Sequence, residues 1–146
     1  MKLKYFATVA FLLFTTACAE QEHTALACPN IGIVQTLNMA NTPAYKAEFG
    51  HFSGKCSFKD STVSVKGHID IAMKQSRLSE TTHDLPIFFA LVDPEQNIIE
   101  KVIKNLSFEF DGTSFYAILE ETFDFTFESK DHFNAQNYEI LIGFQK

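Results

Sequence analysis

The sequence lacks most of the features that would assign a function directly. Among its 146 residues there is no tryptophan, and there are only three cysteines. It contains no Cys-x-x-Cys pair, Gly-x-Ser-x-Gly segment or phosphate-binding glycine loop. These absences remove the usual signatures of zinc ribbons, α/β-hydrolases and nucleotide-binding folds.

Long hydrophobic runs and positive charge are also scarce. The apolar stretch at residues 6–14 is shorter than the roughly 20 residues that a membrane-spanning helix needs. Without residues 1–17 the chain keeps 10 basic and 18 acidic residues, a net charge of −8. This balance argues against nucleic acid and against anionic lipid headgroups as direct partners.

The N-terminus has the layout of a bacterial export signal. Lys2 and Lys4 give a positive start, residues 6–14 form a short apolar core, and small residues then lead to Cys18. We therefore predict that residues 1–17 are a signal peptide outside the folded domain.

Two cleavage sites remain open. The Thr-Thr-Ala-Cys segment that ends at Cys18 resembles a lipobox, in which the cysteine is acylated, although Thr15 stands where leucine is usual. The alternative is cleavage after Ala19, which would release a soluble periplasmic protein. If Cys18 is lipidated, residues 18–27 form a tether of at most about 30 Å. Ala19 then favours anchoring in the outer membrane, facing the periplasm.

Cys28 and Cys56 are retained whichever peptidase acts. Paired thiols of exported proteins usually oxidise, so we predict a disulfide between these two residues. On the chain-entropy description it would stabilise the fold by about 3–4 kcal/mol and fasten the start of the domain to the following hairpin. Without a paired histidine or a Cys-x-x-Cys spacing, a metal or redox site is a poor alternative.

The composition and the residue pattern favour strands. The sequence has sixteen phenylalanines and repeatedly alternates apolar with polar residues. Strands are predicted near residues 31–34, 45–58, 63–73, 87–92, 98–110, 115–127 and 138–144. Their number and spacing predict an all-β, immunoglobulin-like, two-sheet antiparallel sandwich for residues 28–146. Residues 87–92 are apolar on both faces, which is typical of a central strand that is covered on both sides.

Four local features refine this prediction. Asp111-Gly112 predicts a hairpin turn. Glu121 falls among inward positions, so we expect a break or bulge there, and a change of face near Asn105 predicts a second irregularity. Tyr138 is expected to act as a tyrosine corner, with its hydroxyl bonding back to upstream backbone.

Candidate residues for chemistry are few. His68 and Asp70 share the solvent face of one strand, but no third metal ligand accompanies them. Loop 76–84 holds hydroxyl, imidazole and carboxylate groups, yet neighbours along a loop rarely hold the geometry of a triad. The acidic residues Glu120, Asp124 and Glu128 fall on the solvent side of a strand. We therefore predict no catalytic residue, no metal, no cofactor and no enzyme activity.

Several short segments stand out together: the export signal, Cys28-Pro29, Gly32-Ile33, Gly54-Lys55-Cys56, Val92-Asp93-Pro94, Phe123 and the ending from Tyr138 to Gln145. Over roughly residues 28–145 they resemble a family of small alphaproteobacterial lipoproteins of uncharacterised function. The resemblance implies lipid anchoring and supports the fold. It implies no activity and supplies no catalytic residue.

Three functional hypotheses follow. The first is a non-catalytic, membrane-anchored module that serves the cell envelope through contacts with an unknown envelope protein. The second is a binder of small molecules or cell-wall fragments, with its pocket near loop 79–84. The third is a hydrolase or an inhibitor of hydrolases.

Overall fold

The computed structural model describes residues 27–131 and 134–145, which form eight strands and a short 3-10 turn. The strands are β1 Asn30–Ile33, β2 Met39–Asn41, β3 Tyr45–Lys59, β4 Thr62–Gln75, β5 Thr82–Val92, β6 Ile98–Glu109, β7 Tyr116–Glu128 and β8 Glu139–Phe144, with the 3-10 turn Gln35–Leu37 between β1 and β2. Aromatic and β-branched side chains fill most inward positions, where they pack well on a pleated surface. The all-β prediction is confirmed.

The strands form two four-stranded sheets. The first sheet has the order β1-β8-β5-β6, and the second sheet has the order β2-β3-β4-β7. Among these neighbours only β1 and β8 run parallel. The predicted two-sheet sandwich is confirmed. Its strand order differs from that of an immunoglobulin constant domain, which has the sheets ABED and CFG. There the last two strands, F and G, share one sheet, whereas here β7 and β8 lie in different sheets.

Phenylalanine pairs join the two sheets across the core. Phe49 of β3 stacks on Phe144 of β8 with ring centroids 4.0 Å apart. Phe89 of β5 packs on Phe123 of β7 at 5.1 Å. All four side chains are buried, so the inner faces of both sheets meet in one apolar layer.

Two of the predicted irregularities are wrong. β7 pairs with β4 without a register shift through Glu121, so no break occurs there. β6 is a single strand, and its irregularity lies opposite the Leu91/Val92 step rather than near Asn105. β3 has a register shift between Phe49 and Phe52, and this step contains Gly50, a residue type that often marks a bulge in a strand.

The Asp111-Gly112 turn is also not a hairpin. It joins β6 in the first sheet to β7 in the second sheet. The Asp111 carboxylate accepts hydrogen bonds from the backbone N–H groups of Thr113 and Ser114, which hold the pKa of Asp111 below its ordinary value. Gly112 has φ +75, which favours glycine. Local turn chemistry was therefore recognised correctly, but it does not determine which sheet the next strand joins. Within residues 27–131 and 134–145 no helix is long and apolar enough to span a membrane.

Candidate functional site

The Cys28–Cys56 disulfide is formed, with the two Cα atoms 5.7 Å apart. Cys28 lies just before β1 of the first sheet, and Cys56 lies in β3 of the second sheet. The bond therefore ties the two sheets together close to the point where the N-terminal segment enters the domain. Cys18, the predicted lipidation site, lies outside the described residues.

Tyr138 makes the type of contact that was predicted for it. The residue is buried directly before β8, and its ring lies 4.7 Å from that of Phe127. Its hydroxyl accepts a hydrogen bond from the backbone N–H of Lys130 at 3.2 Å. This upstream contact secures the connection between β7 and β8.

An inward-facing ion pair lies between the two sheets. The Lys104 ammonium of β6 donates to the Glu121 carboxylate of β7 at 2.6 Å and to the backbone carbonyl of Thr122 at 2.6 Å. The side chains are 34% and 20% exposed. Lys104 also lies 5.8 Å from the centre of the Phe89 ring. The pair explains how an inward acid is accommodated without a break in β7.

The other predicted charged residues remain on the solvent side and do not converge. His68 is hydrogen-bonded to Ser53 at 3.2 Å, and Asp70 pairs in register with Glu120. Within the described residues no group of three histidine, cysteine or acidic side chains could hold a metal ion.

The acidic end of β7 has a structural role. Glu128 accepts hydrogen bonds from the hydroxyls of Ser61 and Thr62, both at 2.6 Å. These two donors hold the pKa of Glu128 below its ordinary value. Asp124 lies on the exposed side of the same strand. The acidic stretch therefore supports the β3–β4 turn and forms a solvated face.

The end of the predicted loop 76–84 belongs to β5, and its side chains are tied to the core. Tyr45 donates from its hydroxyl to the backbone carbonyl of Asp84 at 2.9 Å. Burial raises the pKa of Tyr45, and the nearby Asp84 carboxylate adds to the rise. The Asp84 side chain accepts from Ser107 at 2.5 Å, on the face of β5 opposite to that of His83. His83 instead packs its ring against Tyr45 and Phe108, with centroids 5.1 and 5.5 Å away.

A depression of about 440 Å³ lies beside this loop, where the β2–β3 and β4–β5 connections meet. Its polar lining comes from Ser76, Arg77, Ser79, Thr81 and His83. We call it the Arg77 depression. Sequence reasoning singled out the loop but missed the arginine. The available signal was its rarity, because Arg77 is the single arginine in the sequence.

The outer face of the first sheet is unusually apolar. The inward side chains of β5 are Leu85, Ile87, Phe89 and Leu91. The residues between them, Phe88, Ala90 and Val92, point away from the core because side chains alternate along a strand. These three outward side chains are also buried. The register places Ile98 of β6 beside Val92 and Ile103 beside Phe88. We name Phe88, Ala90, Val92, Ile98 and Ile103 the outer apolar surface.

The buried part of the outer apolar surface lies beneath other groups of the same chain. The Lys101 ammonium of β6 lies 4.7 Å from the centre of the Phe88 ring. A Cβ placed on Gly143 would come within 2.5 Å of that ring and 3.1 Å of the Leu37 Cβ. Ile98 and Ile103, at the rim, are still 62% and 56% exposed. The prediction that residues 87–92 are buried on both faces is confirmed, and the rim of this surface remains open to a partner.

A smaller concavity of about 260 Å³ lies on the outer face of the second sheet, between Met39 and Tyr116. Lys46, Glu48 and Lys74 divide its apolar residues. Charged groups of both signs therefore interrupt the apolar surface of this concavity.

The chain matches no protein-family model, no curated protein and no solved structure in these comparisons. The resemblance to small alphaproteobacterial lipoproteins therefore stays a prediction. Functional inference rests on the chemistry of the surfaces described above.

Proposed function

We propose that the protein is a non-catalytic binding module of the bacterial cell envelope. It is held by a lipid on Cys18 at the outer membrane, facing the periplasm, and it recruits a partner protein through the outer apolar surface. The Cys28–Cys56 disulfide supports export, because such bonds persist mainly in oxidising compartments. The alternative is a soluble periplasmic protein cut after Ala19.

The single observation that carries the binding role is the exposure of Ile98 and Ile103 beside a buried apolar strand face. A solvated outer face of an antiparallel sheet normally alternates with polar residues, as β4 does in the second sheet. β5 instead places Phe88, Ala90 and Val92 on its outer side. Ile98 and Ile103 extend this apolar face to the solvent, and exposed apolar patches mark interaction sites in soluble proteins.

The free edge of β6 suggests how the partner binds. β6 is twelve residues long and pairs only with β5 in the described part of the chain. An extended partner segment can add to such an edge through main-chain hydrogen bonds. Its apolar side chains would then lie on Ile103 and Phe88, which share the outer side of the sheet. We therefore assign the surface to an extended segment of another envelope protein.

A second copy of this chain is a less suitable occupant. The chain from Cys18 onward carries a net charge of −8, so two copies repel each other, whereas a partner with positive charge is attracted.

Site-specific photocrosslinking in living cells tests this role. A benzoylphenylalanine that replaces Ile103 should capture one defined partner. The matched control replaces Ile118, a residue 71% exposed on edge strand β7 of the second sheet. We expect a crosslinked adduct with that partner from position 103 and no such adduct from position 118. Adding Ile98→Asp should remove the adduct at position 103.

Three results would contradict the proposed role: the same adducts from both positions, no adduct from position 103, or an adduct only with a second copy of the chain. An adduct that survives Ile98→Asp would also count against it, because that carboxylate would lie inside the contact.

The anchor is tested separately by intact-mass measurement of the exported protein. We expect a mass that starts at Cys18 and includes acyl chains. A mass that starts after Ala19 would replace the lipoprotein with the soluble periplasmic alternative and leave the binding role unchanged.

A further inference from the structure

The Arg77 depression is suited to a small ligand and lies apart from the outer apolar surface. Its volume of about 440 Å³ falls in the range typical of small-molecule sites. The backbone N–H of Ser76 donates to the carbonyl of Ala44 at 2.8 Å, which holds the two connections of the rim together.

No carboxylate lines the depression, although the chain has 18 acidic residues and a net charge of −6. Arg77 takes part in neither of the two salt bridges that the described residues form. Glu80 is close in sequence, but its side chain lies against Gly112, where the Glu80 Cγ would be 2.9 Å from an added Cβ. The local charge is therefore positive and lacks an internal counterion.

The remaining lining supplies hydroxyl groups on a fixed wall. Thr81 donates to the Ser79 hydroxyl at 3.1 Å. His83 forms one side, and its ring is held against Tyr45 at 5.1 Å. The Tyr45 hydroxyl is bonded in turn to the backbone of Asp84. Groups held in this way lose little entropy when a ligand arrives.

We propose that the Arg77 depression binds a small polar ligand that carries a carboxylate or a phosphate, about the size of one sugar ring. The guanidinium presents a planar fork of N–H donors that matches either oxyanion in a bidentate contact. The hydroxyls of Ser76, Ser79 and Thr81 can exchange hydrogen bonds with the hydroxyl groups of such a ligand.

Three probes with one ring in common test the ligand class. Glucuronate carries a carboxylate, glucose 6-phosphate carries a phosphate, and glucose carries no charge. Each is titrated into the exported protein in phosphate-free buffer, and backbone NMR shifts are followed. We expect one or both acids to move the signals of residues 76–83 with dissociation constants below about 10 mM, and glucose to bind about tenfold more weakly or not at all. The acid that binds tighter identifies the oxyanion.

Arg77→Gln provides the direct variant, and Lys59→Gln is the control, because Lys59 is an exposed lysine at the opposite end of β3. Arg77→Gln should weaken acid binding about tenfold, and Arg77→Lys should fall between it and the unaltered protein. Lys59→Gln should leave binding unchanged. Both residues are exposed, so the thermal midpoints should stay close to that of the unaltered protein.

Several outcomes would overturn this assignment. They are the absence of shifts with all three probes, equal binding of glucose and the acids, or an equal loss of binding in Arg77→Gln and Lys59→Gln. None of them bears on the partner surface of the first sheet, so failure of one proposal leaves the other standing.

Discussion

The outer faces of the two sheets differ sharply, although their inner faces share one phenylalanine-rich core. The second sheet presents charged and hydroxyl-bearing residues along most of β4 and β7, among them His68, Asp124 and Glu128. The first sheet presents Phe88, Ala90 and Val92 in the same kind of position. An outer face requires apolar residues only when something covers it. This difference is the reason why we propose that the first sheet, rather than the second, binds a partner.

The contrast between the outer faces depends on the two sheets staying in place relative to each other. The largest expected effect on stability comes from removing the disulfide that joins them. Replacing Cys28 and Cys56 together by serine opens a loop between residues 28 apart in sequence. We expect a loss of about 3–4 kcal/mol in the free energy of unfolding, measured with denaturant. The single variant Lys55→Ser, a neighbouring exposed position, is the control. An unchanged midpoint in the double variant would show that the bond does not constrain the sheets.

A glycine pair compares the two outer faces directly. Gly143→Ala in the first sheet would place a methyl group 2.5 Å from the Phe88 ring, whereas Gly50→Ala in the second sheet would meet only Asp70 at 3.4 Å. We expect Gly143→Ala to destabilise by about 1–3 kcal/mol. Gly50→Ala should be neutral or stabilising by up to about 1 kcal/mol. Thermal unfolding measures both, and effects of equal size and sign would show that the faces are packed alike.

The Lys104–Glu121 pair connects edge strand β6 of the first sheet to edge strand β7 of the second sheet. Lys104→Ala should cost about 1 kcal/mol, because the pair is partly exposed and water screens it. The double variant Lys104→Met with Glu121→Leu should recover that stability, because an apolar pair replaces the partly buried charges. Unfolding in denaturant measures both variants. A double variant no more stable than Lys104→Ala would show that an apolar pair cannot replace the ion pair.

The smallest expected effect is a pH dependence at Tyr45, which links the second sheet to Asp84 of the first. Burial raises the Tyr45 pKa above 10.0, so the unfolded chain loses this proton at lower pH than the folded chain. The contribution of Tyr45 to stability is therefore complete below pH 10.0 and is lost as the pH rises through the folded value. Tyr45→Phe should flatten the alkaline decline of the thermal midpoint. An identical decline in both proteins would exclude Tyr45 as its source.

Sequence patterns predicted the parts of the fold that depend on one strand at a time. Alternation from Val63 to Met73 gave β4 and its solvent face, and the run from Ile87 to Val92 gave a strand buried on both sides. Cys28 and Cys56 could be paired because the other cysteine is acylated or removed under either cleavage. Parts that depend on two strands were missed. The inward Glu121 looked like a break because its partner Lys104 lies in the other sheet, and pairing across sheets cannot be obtained from the pattern of one strand.

The candidate sites were predicted less completely for the same reason. The loop near residues 79–84 stood out by composition, but the depression also needs the β2–β3 connection and Arg77. The outer apolar surface needs the register that brings Ile98 and Ile103 beside β5. Both depend on long-range packing, which local periodicity does not contain.

The most direct test of the contrast between the two faces is the affinity of the crosslinked partner, once purified, for two matched variants. Ile103→Asp places a carboxylate on the outer apolar surface, and Ile118→Asp places one at an exposed position on the second sheet. Calorimetric titration should show a dissociation constant at least about tenfold weaker for Ile103→Asp and unchanged for Ile118→Asp. Equal weakening in both variants, or none in Ile103→Asp, would contradict binding through the first sheet.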